Sequence, residues 1–259
     1  MAQPVTAASG WRWFLEGVRA LRMQPLALTG IVVFYILISG LLSSMPFIGT
    51  MAAAVWMPFG AVLVGFAARD TLAGRTPVYG TFVAAFRKQG MRLRLIGTGL
   101  ISAACMEVIM LIFQLLSKAS IAQWEISEKG ISISSVVDNL PVTGLIVSVV
   151  LYVPLLMATL FAPLLIADAG QGIGKSFFYS FFGILRKFAA CFTAGAVIMG
   201  VTAISGFAVN ALFFSLGIGS SFAYAAPLFV VVLSTISQAM VWPMYRDLFG
   251  VKNLFDTLD

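Results

Sequence analysis

Six long apolar stretches dominate this sequence, and each is long enough to cross a lipid bilayer as an α-helix. They lie at 25–43, 46–68, 95–116, 142–166, 189–216 and 221–245. Apolar residues make up 60% of the 259 residues and charged residues only 10%, an apolar excess that a water-soluble domain of this size could not bury. The sequence therefore predicts an all-α membrane protein with six transmembrane helices.

A unit of three parts occurs three times along the chain. It consists of an aromatic amphipathic segment ending in Arg, an apolar span leading away from it, and a returning span that closes near an Asp. Each amphipathic segment contains an aromatic residue followed five residues later by Arg, namely Phe14 and Arg19, Phe82 and Arg87, and Phe181 and Arg186, and the returning spans close at Asp70, Asp168 and Asp247. We predict one membrane domain, 1–259, built from three tandem repeats of an interfacial helix plus a transmembrane hairpin, at about 11–70, 77–168 and 175–247.

The distribution of basic residues predicts the orientation in the membrane. Fourteen of the sixteen Lys and Arg residues lie in segments 1–24, 69–94, 167–188 and 246–259, and only Lys118 and Lys129 lie opposite. Because short basic loops stay on the cytoplasmic side, both termini are expected to be cytoplasmic and segment 117–141 to lie outside. Residues 1–24 are amphipathic and lack the apolar core of a signal peptide, so we expect the first span to be retained.

The three amphipathic segments are candidates for contact with lipid headgroups. On a helix, the first gathers Trp11, Phe14, Leu15, Val18 and Leu21 on one face, and the third gathers Phe177, Phe178, Phe181, Leu185 and Phe188. In the first, Glu16 is placed to pair with Arg12 and Arg19. We expect these helices to lie in the interface, aromatic side toward hydrocarbon and basic side toward phosphate; the alternative is that they only link and anchor the spans. The headgroup candidates are Arg19, Arg87, Lys88, Lys175, Arg186 and Lys187.

Polar residues inside the predicted spans raise a second hypothesis. Glu107 is a carboxylate near the middle of the third span, where a charge is costly and usually faces a partner or a wet cavity. It could bind a proton or cation with Gln114, Asn210 and Gln238 as neighbours, or donate one interhelical hydrogen bond as a neutral acid.

The carboxylates that close the returning spans also have two interpretations. Asp70, Asp168 and Asp247 oppose the helix dipole at a helix C-terminus and need compensation. They are expected either to form local ion pairs or to ring a cytoplasmic vestibule.

Proline positions predict that the even spans are the bent ones. Pro58, Pro154, Pro163, Pro227 and Pro243 lie in or beside the second, fourth and sixth spans. Proline removes a backbone donor and kinks a helix, which membrane helices tolerate where neighbours take up the freed carbonyl.

The residue inventory argues against catalysis. Histidine is absent, and both Cys105 and Cys191 fall in predicted spans, where we expect them to be buried in apolar surroundings. The segment 170–175 (GQGIGK) lacks the spacing of a phosphate-binding loop. We therefore expect no catalytic, metal or cofactor site, and no nucleic-acid partner because the basic residues flank spans instead of covering a soluble domain.

A distant resemblance adds an expectation about location. Gly10-Trp11-Arg12-Trp13, Gln24-Pro25 and the proline-rich even spans resemble families of six-span bacterial inner-membrane proteins of uncharacterised activity. They are also distantly similar to the membrane domain fused to some glycerophosphodiester phosphodiesterases. The resemblance implies a bacterial inner membrane location and topology, with no counterpart here of the hydrolase portion.

Two functions are compatible with these patterns. The first is a non-catalytic membrane protein that binds or organises anionic lipids through its basic interfacial helices. The second is a small-solute or ion permease whose route passes Glu107. A membrane-protein partner or a second copy of the chain is left open.

Overall fold

The computed structural model describes residues 5–46, 48–77, 86, 90–127, 130–217 and 222–250. Its helices are α1 (Ser9–Met23), α2 (Pro25–Ser43), α3 (Gly49–Leu72), α4 (Met91–Ile121), α5 (Ile133–Asp138), α6 (Val142–Thr159), α7 (Ala162–Ala167), α8 (Ile173–Arg186), α9 (Phe188–Ser215), α10 (Phe222–Ala239) and α11 (Val241–Phe249). The loop after α4 carries two antiparallel two-residue strands, β1 (Ile126–Ser127) and β2 (Gly130–Ile131). Apart from these strands, the regular structure in the described ranges is helical.

Among the described residues, six segments are long and apolar enough to cross a membrane. They are Pro25–Ser43, Gly49–Leu72, Met91–Ile121, Val142–Ala167, Phe188–Ser215 and Tyr224–Phe249, here called spans 1 to 6. All six predicted spans are therefore confirmed. Span 3 is longer than predicted because its helix continues at both ends into polar sequence that hydropathy alone excludes.

The three predicted hairpins differ in how their spans pack against the rest of the bundle. Helices α2, α3, α4 and α6 pack each against the next, and α10 packs against α2 and α3. Helix α9 lies at the periphery, where it contacts α1 extensively and α10 much less. The tandem repeat accordingly stays a prediction.

Tight packing is concentrated at one end of the bundle. Trp13 of α1, Phe161 and Leu164 of span 4, and Trp242 and Tyr245 of α11 are all buried there, together with the second half of α3. We call this the basic end, comprising α1, the C-terminal half of α3, the start of α4, α7, α8 and α11.

Away from the basic end the helices diverge and expose large apolar side chains. Leu115 of α4, Val150 of α6, Phe214 of α9 and Tyr224 of α10 are 63–85% exposed. This distribution fits a chain whose surrounding solvent is lipid, since apolar surface gains little from burial there.

Prolines explain why spans 4 and 6 are each broken in two. Helix α6 ends at Thr159 and Pro163 follows four residues later; helix α10 ends at Ala239 and Pro243 follows at the same distance. In a continuous helix the N–H at the proline position would donate to the carbonyl of the last residue, and proline has none. Pro58 and Pro154, by contrast, lie inside continuous helices.

Candidate lipid-facing surface at the basic end

Helix α1 is embedded in the bundle by close contact with two spans. A Cβ at Gly10 would lie 2.8 Å from the carbonyl oxygen of Ala190 in α9, and a Cβ at Gly17 would lie 2.8 Å from that of Ile236 in α10. Only glycine allows backbones to approach this closely. Between these contacts Phe14 is 7% exposed. Helix α1 therefore bridges spans 5 and 6.

A partly buried polar network holds α1 against α11. The Trp13 indole N–H donates to Asp247 Oδ2 at 2.8 Å, and Arg12 donates to the same oxygen at 2.7 Å. Arg246 donates to Asp247 Oδ1 at 2.8 Å and forms a bidentate pair with Glu16, both N···O distances being 3.1 Å. Such forked pairs fix orientation as well as charge.

Two expectations about α1 need correction. Glu16 is paired with Arg246 of α11, where the sequence suggested Arg12 and Arg19. Trp13, which the helical wheel left off the aromatic face, is fully buried. The aromatic face predicted for α1 is only partly buried, since Phe14 is buried but Trp11 and Leu15 are about half exposed.

The other carboxylates of the basic end are also bonded. Asp70 accepts hydrogen bonds from Arg69 at 3.0 Å and Arg75 at 2.7 Å. Asp168 accepts one from the Tyr245 hydroxyl at 3.1 Å. Glu16, Asp70, Asp168 and Asp247 thus each have a neighbouring cation or hydroxyl.

Helix α8 packs its serine face inward and leaves aromatic side chains outside. Ser176 and Ser180 are fully buried, whereas Phe178, Tyr179 and Phe182 are 42–56% exposed. The rings of Phe178 and Phe182 lie 4.5 Å apart, so the exposed aromatic surface is continuous.

Ser180 is inserted into the break in span 4. Its hydroxyl donates to the Met157 carbonyl at 2.6 Å and accepts from the Phe161 N–H at 3.1 Å. In a regular helix that N–H would donate directly to that carbonyl, four residues earlier. A side chain inserted into the helical ladder is a recognised cause of kinks, and here it also fixes α8 to span 4.

Exposed cations flank these aromatic side chains. Lys175, Arg186 and Lys187 lie at the two ends of α8, and Arg19 and Arg22 lie on the exposed side of α1. Within the described residues, none of these five forms a salt bridge with a carboxylate. Lys187 donates to the Val5 carbonyl, at 3.5 Å. Arg87, Lys88 and most of the middle amphipathic segment lie outside the described residues.

A comparison with known proteins supports the membrane location. The chain is 25% identical, over 267 residues, to a probable inner membrane protein of Burkholderia thailandensis; the match covers 96% of this chain and 93% of that relative. The chain is a polytopic membrane protein. No protein-family model and no solved structure matches it. The resemblance to the membrane domain of glycerophosphodiester phosphodiesterases therefore has no support.

The intramembrane polar candidates lie on different surfaces of this membrane protein. Glu107 and Gln114 are exposed on the outer side of α4, and Asn210 is exposed on α9. Gln238 of α10 is partly buried beside a cleft.

The two cysteines and the metal-ligand inventory complete the survey of candidate residues. Cys105 is exposed and Cys191 only partly buried, so the expectation that both are buried is wrong for Cys105, because it lies on the lipid-facing side of α4. Among the described residues, no group of three or more Cys, Asp or Glu side chains is arranged to hold a metal ion.

Sequence reasoning missed Trp13 and Ser180, which hold the basic end together. Trp13 lies between Gly10 and Gly17, and two small residues seven apart are a signal for a closely packed helix face. Ser180 had no comparable signal, because its role depends on a break in another helix.

Proposed function

We propose that this chain is a non-catalytic integral membrane protein of the bacterial inner membrane that binds anionic lipid headgroups at its basic end, with both termini in the cytoplasm. The observation that carries the proposal is the arrangement of α8. Its aromatic side chains are exposed while its serines face the protein, and exposed cations lie at both of its ends. An amphipathic helix of this kind gains from burying aromatic side chains near the headgroups and from attraction to phosphate.

The charge pairing at the basic end supports the same proposal. Glu16, Asp70 and Asp247 are paired with arginines of the bundle, and Asp168 is bonded to Tyr245. The exposed cations named above are left without acidic partners among the described residues. A cation near an anionic leaflet contributes about 1 kcal/mol to association. Their natural counterions are therefore lipid phosphates.

The permease alternative gains less from the geometry. Glu107 lies on the outer surface of α4, so a route past it would run along the bundle instead of through it. A route through the interior of the bundle would also have to pass the basic end, where the side chains are tightly packed.

The test replaces Lys175, Arg186 and Lys187 with Gln and measures the preference for phosphatidylglycerol over phosphatidylcholine among lipids retained in nanodiscs. At about 1 kcal/mol per cation, each replacement is expected to lower the relative association constant by up to about fivefold. Lys118→Gln is the matched control, because Lys118 is exposed at the opposite end of α4. An unchanged lipid preference in the triple variant would refute the proposal.

A further inference from the structure

A lateral cleft of about 310 Å³ lies between α9 and α10. Its lining includes Ile198 and Thr202 on one wall and Phe229, Ser234, Ser237 and Gln238 on the other. Helix α1 bridges the two spans at one end of the cleft, through Gly10 and Gly17. At the other end the spans approach again, since a Cβ at Gly206 would lie 3.6 Å from the Phe229 ring. Thr202 and Val230 are exposed, so the cleft opens sideways toward lipid.

The polar side chains of this cleft differ from other hydroxyls on the same helices. Thr193 of α9 and Thr235 of α10 each donate at 2.8 Å to the carbonyl four residues earlier. The side chains of Thr202, Ser234, Ser237 and Gln238 form no hydrogen bond within the part of the chain that the structure describes. Polar groups in a membrane without partners are costly, because no bulk water is available there. Four of them around one opening indicate that a ligand supplies the partners.

The chemistry of the walls defines that ligand. Three hydroxyls and an amide offer hydrogen-bond donors as well as acceptors, and a ligand with acceptor groups on an otherwise apolar body would use the donors. Gln238 lies one residue before α10 ends at Ala239, next to α11 of the basic end, where the proposed function brings the headgroups. The ester carbonyls of a glycerolipid lie on the hydrocarbon side of its headgroup.

We propose that this cleft binds one glycerolipid of the surrounding bilayer through its ester carbonyl groups. A volume of about 310 Å³ holds about ten water-sized groups, enough for the glycerol and ester region and the first methylenes. The acyl chains then lie along exposed apolar residues such as Phe207 and Leu228, which are 77% and 72% exposed. This inference goes beyond headgroup association, because ester recognition does not depend on lipid charge.

A lipid titration followed by native mass spectrometry tests the proposal with two zwitterionic lipids, which carry no net charge. The full chain in detergent is titrated with diester phosphatidylcholine and with diether phosphatidylcholine of the same chain length. The first diester molecule is expected to bind at least about fivefold more tightly, the factor that corresponds to one net hydrogen bond. Gln238→Leu is expected to remove this difference, and Thr202→Val on the opposite wall to reduce it.

Matched variants make the outcomes decisive. Gln114→Leu changes an exposed glutamine of α4 outside the cleft and should leave the diester preference intact. The Gln variants of Lys175, Arg186 and Lys187 should also leave the diester preference intact. A failure of the proposed headgroup binding can therefore be distinguished from a failure of ester binding in the cleft. Equal binding of both lipids by the wild type, or loss of the preference in Gln114→Leu, overturns the proposal.

Discussion

Removal of the Ser180 hydroxyl should destabilise the protein by separating α8 from the break in span 4. In Ser180→Ala, the Phe161 N–H loses its acceptor and the Met157 carbonyl loses its donor. Phe161 and Ser180 are fully buried and Met157 is 8% exposed, so water cannot replace the hydroxyl without opening the contact. The variant removes one oxygen atom and leaves the apolar packing of α8 unchanged.

The expected cost follows from the two orphaned groups. A buried backbone group left without a partner costs about 1–3 kcal/mol. The direct bond from Phe161 to Met157 can partly re-form if α6 straightens, which lowers the sum. We therefore expect Ser180→Ala to reduce the free energy of unfolding by about 1–3 kcal/mol in total.

Ser176→Ala is the control on the same helix face. Ser176 is also fully buried, but its hydroxyl donates to the Gly172 carbonyl, which already accepts the Ser176 backbone N–H at 2.9 Å. Its removal leaves no backbone group orphaned, and the cost should stay below about 1 kcal/mol. The difference between the two variants therefore isolates the inserted hydrogen bonds.

Unfolding in mixed micelles titrated with dodecyl sulfate gives the two free energies. Hydrogen exchange of a peptide covering residues 157–163 gives a local readout, which should accelerate in Ser180→Ala and not in Ser176→Ala. Equal unfolding free energies for both variants, or unchanged exchange in Ser180→Ala, would refute the stabilisation of the span 4 break by this hydroxyl.

Three further predictions concern α1 and the orientation. Asp247→Ala should cost about 1–3 kcal/mol because it orphans the buried Trp13 N–H, and Trp13→Phe should recover part of that cost. Additive effects in a double-mutant cycle measured by the same unfolding assay would argue against the contact. Gly17→Val should lower the melting temperature in detergent because a side chain there meets the α10 backbone, whereas Gly30→Val, with nothing within 4 Å, should not. Similar melting temperatures would contradict the close approach. A green fluorescent protein fused after the C-terminus should fluoresce in cells, and an alkaline phosphatase fusion there should be inactive; the reverse pattern would invert the proposed topology.

The spans could be predicted from sequence because hydropathy acts locally. A helix in lipid satisfies its own backbone, so about 20 apolar residues suffice to define each span without knowledge of its neighbours. The breaks in spans 4 and 6 could be anticipated in part, because Pro163 and Pro243 lack the backbone N–H regardless of which helices surround them. Ser180 could not be anticipated, because the hydroxyl that completes the break comes from a different helix.

The pairing of charges could not be predicted because it depends on tertiary contacts. Spacing within α1 suggested Arg12 as a partner of Glu16, a contact worth only a few tenths of a kcal/mol on an exposed helix. In the structure Arg246 of α11 reaches Glu16 with two hydrogen bonds, and Arg12 turns to Asp247. Partly buried, forked pairs outcompete local ones, but only once α11 is known to lie beside α1.

The distribution of packing bears on which function the fold favours. A carrier requires helices that move against one another around a binding site, with a route open at either end. Here the basic end is instead fixed by the Trp13–Asp247 network, by the close contacts of Gly10 and Gly17, and by the inserted Ser180. The regions left loosely packed are the lipid-exposed halves of the spans and the cleft between α9 and α10. A basic end fixed in this way keeps its cations and aromatic side chains on one surface without the helix movement that transport needs, an arrangement that suits the proposed headgroup binding better than transport.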